Sequence, residues 1–221
     1  MRWTLRTISG MARRKGTRKR GRRASLWGLC LILGAGGLCF SQESLPQEEL
    51  GPSSGSLQIG HVAPSWGQHG WVNSEPLDVD KLRGKVILLR FLHDSPSGAA
   101  TLKEFYRAYR AQGLEVVGFY TPDPMPAATD LEHVRRLVAS QGFSFPVGLD
   151  SRWETLNRYW LDQPDAEMTS TTFLIDRQGV IRYIQPNGQY EKSSTNRAAR
   201  RGYETMQRVI EGLLKETVPA E

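Results

Sequence analysis

Residues 86–106 read VILLRFLHDSPSGAATLKEFY. Val86–Leu92 is an almost continuous apolar run, the pattern of a strand buried on both faces within a sheet. Past the turn at Ser95-Pro96-Ser97-Gly98, Leu102, Phe105, Tyr106 and Tyr109 recur at i, i+3, i+4 and i+7. That spacing predicts one apolar face of a helix, which Gly113 ends.

The pattern continues outward from this unit. Leu114–Tyr120 predicts a second buried strand, and the proline-rich Thr121–Pro126 predicts a loop. Thr129 or Asp130 can cap a helix with Leu131, Val134, Leu137 and Val138 on its inner face. Phe145–Asp150 predicts a short strand, followed by a short helix around Arg152–Trp160. Thr171–Asp176 and Val180–Ile184 flank Arg177-Gln178-Gly179 and predict a β-hairpin. Tyr203, Met206, Val209, Ile210, Leu213 and Leu214 form the stripe of a last helix. The order β-α-β-α-β-α-β-β-α predicts an α/β three-layer sandwich around a mixed β-sheet.

Charge is divided unevenly. Ten of the 29 Lys/Arg fall in residues 1–41, which hold no Asp or Glu, leaving 19 basic against 23 acidic residues beyond. The basicity belongs to this leader, which argues against a nucleic-acid partner for the rest. Basic residues up to Arg23 and an apolar run Leu26–Phe40 predict a signal peptide or signal anchor over 1–41. The chain beyond is then expected to be exported, periplasmic or extracytoplasmic, with membrane contact only through the N-terminal segment. Ser, Glu, Pro and Gly make 42–56 a flexible tether, leaving 57–217 as the folded domain. Both cysteines, Cys30 and Cys39, lie in the apolar run. Residues 42–221 therefore offer no disulfide, thiolate metal site or cysteine nucleophile.

Ala63-Pro64, Gly70-Trp71-Val72-Asn73, Pro76-Leu77, Leu82-Arg83-Gly84-Lys85-Val86, Phe145–Asp150 and Phe173-Leu174-Ile175-Asp176-Arg177-Gln178-Gly179 follow one another along the chain. In this order they resemble the thioredoxin-fold thiol–disulfide oxidoreductases of the TlpA, redoxin and DipZ kind. The resemblance implies a thioredoxin-like sandwich and a redox Cys-x-x-Cys at the turn after Val86–Leu92. Counting back from Leu102 puts those cysteine positions on Ser95 and Gly98. The resemblance places a cis-proline where this sequence has Ser170. A serine hydroxyl cannot cycle through a disulfide, and glycine offers no resolving group. The family is one of oxidoreductases, but this chain is expected to be a degenerate member with no catalytic residue, metal or cofactor. Restoring cysteine at 95 and 98 is expected to place two sulfurs within disulfide range.

The binding groove is expected at His93, Asp94, Ser95, Pro96, Ser97 and Gly98, facing Thr169, Ser170 and Thr171. An extended protein or peptide of the cell envelope is the expected partner. The alternatives are a working thiol–disulfide oxidoreductase using a partner's cysteine, and a purely structural envelope module. His93-Asp94-Ser95 does not suggest a hydrolytic triad, because consecutive side chains diverge. His61, His69 and His93 lack metal-ligand spacing. Trp66, Trp71, Trp153 and Trp160 suit packing better than a ligand site. Arg197, Arg200 and Arg201 form a basic cluster expected just before the last helix, solvated or facing an acidic partner.

Overall fold

A computed structural model describes residues 58–67, 69–123, 129–164, 166 and 169–217. The expected leader, the tether and the domain start at Leu57 lie outside the described residues. Six strands form one mixed sheet: β1 (Gly70–Val72), β2 (Val86–Leu92), β3 (Leu114–Tyr120), β4 (Val147–Leu149), β5 (Thr171–Ile175) and β6 (Ile181–Pro186), in spatial order β1-β4-β3-β2-β5-β6. The helices are α1 (Ala99–Tyr109), α2 (Leu131–Gln141), the single turn α3 (Glu154–Leu156) continued by a wider turn over Asn157–Leu161, and α4 (Arg197–Lys215). No helix among the described residues is long and apolar enough to cross a membrane.

β2 is the centre. It pairs in parallel with β3 and antiparallel with β5, and all seven of its residues are buried. Strand periodicity sends Val86, Leu88 and Leu92 to one face and Ile87, Leu89 and Phe91 to the other. The first face packs under α1, α2 and α4 through Leu102, Phe105, Val134, Leu137, Met206 and Ile210. The second packs against Trp66, Trp71, Leu156, Tyr159 and Trp160. The sandwich is thus three layers around a mixed sheet, as its order of elements predicts.

Two elements differ from the sequence reading. β1 is an additional strand, antiparallel to β4 through Trp71 opposite Gly148. Three residues are too few to show a period. The last helix begins at Arg197, so Arg197, Arg200 and Arg201 lie in its first turns and not before it. Arg200 Nη1 donates there to the carbonyls of Ser194 and Thr195, at 2.7 and 3.2 Å.

Candidate functional site

The turn is built by the strand before it and the helix after it. β2 delivers the chain at Leu92, and α1 takes it up at Ala99 with Gly98 as the capping residue. Gly98 has φ +75°, a left-handed conformation that favours glycine. A Cβ at this position would lie 2.8 Å from Tyr190 Cε2 and 2.9 Å from the Gly188 carbonyl oxygen. A side chain at the position counted as the second cysteine is therefore strained and needs Tyr190 or the Gly188 backbone to shift. A disulfide between residues 95 and 98 would then not form as readily as the sequence reading expects.

His93 is fixed from both sides. Its Nδ1 lies 2.8 Å from the Thr121 carbonyl, which only a donor satisfies, and its Nε2 lies 2.8 Å from Thr169 Oγ1. With Nδ1 protonated, Nε2 accepts the threonine hydroxyl hydrogen. The ring bridges the end of β3 to the segment leading into β5.

Asp94 turns the other way. One carboxylate oxygen meets Tyr120 Oη at 2.8 Å and His133 Nε2 at 2.7 Å. These two hydrogen bonds, the one from His133 first, hold its carboxyl below the usual range. Burial, then the adjacent carboxylate, pushes the Tyr120 hydroxyl up. Ser95 takes part in neither set of contacts, so His93, Asp94 and Ser95 form no relay. Asp94, Ser95 and Ser97 are exposed, and His93, Pro96, Thr169 and Ser170 are half-buried. Gly98 and Thr171 are buried, so these two of the expected groove residues present no surface.

Three residues beneath the turn escape the sequence reading. Arg90 lies fully buried in β2, where Nη2 donates to Ser170 Oγ at 2.6 Å and Nη1 to Thr172 Oγ1 at 3.2 Å. Tyr190 sets its ring centre 5.6 Å from the guanidinium carbon, and its hydroxyl meets Thr172 Oγ1 at 3.1 Å. Gly188 completes the contact, since a Cβ on it would overlap both Arg90 Nη2 and Ser97 Oγ. A charge inside an apolar run was the available signal for Arg90. Nothing local marks Gly188 or Tyr190.

The remaining candidates fall into the scaffold. Trp66, Trp71 and Trp160 are buried and Trp153 is half-buried. His69 is held by the carbonyls of Leu149 and Trp66 and by Thr155 Oγ1, at 3.0, 2.6 and 2.8 Å. Among the described residues, no group of three His, Cys, Asp or Glu side chains is placed to hold a metal ion.

Residues 59–184 match the AhpC/TSA family. Protein DipZ of Mycobacterium bovis is 31% identical over 162 residues, 65% of this chain and 21% of that protein. The chain thus spans about a fifth of the length of the curated relatives it matches. Among solved structures, a thioredoxin-like superfamily protein superposes with a TM-score of 0.56 at 21% identity, covering 72% of this chain and 99% of its own. A thiol-disulfide isomerase from Corynebacterium glutamicum gives 0.55 at 24% identity, covering 70% and 98%. These likenesses establish a thioredoxin-like fold.

Proposed function

We propose that this chain, which belongs to the AhpC/TSA family, is a redox-inactive member of its thioredoxin-like, thiol–disulfide oxidoreductase kin that holds an extended protein or peptide. The observation that carries the proposal is the crowding at Gly98. A left-handed backbone backed by Tyr190 and Gly188 would strain a resolving thiol, in a domain without cysteine. What the turn retains is a polar surface of Asp94, Ser95 and Ser97 beside Thr169 and Ser170. The ladder between β2 and β5 stops at Arg90 opposite Thr172, so the backbone of Thr169 and Ser170 lies beyond it. An extended segment can pair with that backbone. The leader expected over 1–41 and the likeness to DipZ support an exported protein acting in the cell envelope.

The test uses the full chain with Cys30→Ser and Cys39→Ser. No reduction of insulin disulfides above buffer is expected. A library of extended peptides should shift the amide resonances of His93, Asp94, Ser95, Ser97, Thr169 and Ser170. Turnover by the thiol-free chain would overturn the proposal, as would a library that moves none of these resonances.

A further inference from the structure

Beneath the turn lies a guanidinium that has no counter-ion among the described residues. Arg90 is 0% exposed, and it appears in none of the ion pairs among the described residues. Its two hydrogen bonds go to Ser170 Oγ and Thr172 Oγ1, both neutral hydroxyls. Nε is buried with no partner among the described residues. A guanidinium has five N–H donors, so three are unspent. Burying a charge is costly unless it is paired and hydrogen-bonded, and a guanidinium has no neutral form to fall back on in a protein.

The surroundings point outward to the turn. Nη2 and the exposed Ser97 hydroxyl lie against the same face of Gly188. Ser97 also lines a cavity of about 200 Å³ with Gln189, Glu191, Ser194, Asn196 and Ala199. Ser97 thus adjoins both this cavity and the face of Gly188 that Nη2 lies against. The start of α1 beside it has no side-chain cap and no acidic residue in its first turn, which leaves its positive end uncompensated.

We infer that Arg90 is the fixed charge of a carboxylate site, and that the extended segment held at the turn presents an Asp or Glu side chain to it. This rests on the peptide-holding reading above and names the chemistry of that peptide. Side chains alternate across a strand. Arg90 belongs to the face of β2 that packs under α1 and α4, as do Val86 and Leu88. A strand added beside Thr169 and Ser170 would send every second side chain to that face. A planar carboxylate suits the fork formed by Nε and the Nη2 hydrogen not given to Ser170. Glu191 on the cavity wall opposes a doubly charged anion more than a singly charged one.

The experiment titrates the full chain, ¹⁵N-labelled on arginine, at constant ionic strength. The probes are acetyl-Thr-Glu-Thr-Val-Thr-amide, its Gln counterpart, sodium acetate and inorganic phosphate. The Glu peptide should bind about tenfold or more tighter than the Gln peptide and should shift the Arg90 Nε–Hε resonance, as acetate should at higher concentration. Arg90→Met should abolish the Glu–Gln difference, and Arg90→Lys should restore part of it. Equal binding of both peptides with Arg90 Nε unmoved overturns the carboxylate site and leaves the peptide-holding reading standing. A response to acetate or phosphate with neither peptide bound overturns the acidic-peptide partner and the peptide-holding reading together. If Arg90→Met does not fold, the Nε shift in the unaltered chain decides alone.

Discussion

Gly98 and Tyr190 together determine what the turn can carry. Gly98→Ala must force a side chain into left-handed backbone and against the Tyr190 ring. We expect it to cost about 1–3 kcal/mol, read as a lower urea midpoint at unchanged slope. Ser95→Cys with Gly98→Cys should give free thiols or intermolecular dimers by mass spectrometry under mild oxidation. An intramolecular disulfide at native stability would show that Tyr190 yields easily. Asp94 supplies a pH signature. Its carboxyl is held below the ordinary value of 3.8, so its stabilising contribution is fully present above that value and fades as pH falls through its lower folded pKa. Asp94→Asn should therefore be less stable than the parent at pH 6, and the two melting curves should converge at the acid end. Of these residues the sequence exposes Ser95 and Asp94 readily, because they occupy a turn between two strongly patterned elements. The conformation of Gly98 and the approach of Tyr190 depend on contacts across about ninety residues, which no local spacing encodes.

Long elements with a clear period are legible, and so are the short strand expected within Phe145–Asp150 and the short helix expected around Arg152–Trp160, whereas β1 is not. β2, β3, α1 and α2 follow their apolar spacing, and the Asp130 cap of α2 is confirmed by its carboxylate accepting the His133 N–H at 2.9 Å. Asp130→Ala should cost about 1 kcal/mol and loosen the contact between His133 and Asp94, visible as a shift of the His133 ring resonances. β1 is invisible in the sequence because it exists only by pairing with β4. The short helix after Trp153 is where the sequence reading expects it, but the way it starts is hard to read. Trp153 itself has φ +58°, and Asp150 rather than a neighbouring residue caps the helix, accepting the Thr155 and Leu156 N–H groups at 3.0 and 2.9 Å. Arg90 is a misleading residue at this scale. Its strand reads as apolar because six of its seven positions are, and the one exception holds the charge under the site.

The two hydrophobic clusters lie on opposite faces of one sheet, so they should be lost together. Phe119 is fully buried and touches the rings of Trp66, Trp71, His69 and Phe91 at centroid distances of 5.0–6.0 Å. Phe119→Ala should cost about 3–5 kcal/mol. Tryptophan emission and far-ultraviolet circular dichroism should still move in one coincident transition, and separated transitions would mean that the faces unfold independently. The rims of the sheet carry a further consequence. At one rim β1 is only three residues long. At the other, Gly60–Ala63 already hydrogen-bonds along the start of β6, through Gly60 N to the Ile181 carbonyl at 2.8 Å and Ile181 N to the His61 carbonyl at 2.9 Å. The far end of β6 is Pro186, which has no N–H to offer. A molecule guarded in this way offers little template for self-association into fibrils. Under the proposed function, a recruited strand would be steered away from these flanks and toward the backbone of Thr169 and Ser170, so that guarding against aggregation and choosing a partner would become one property of the same sheet.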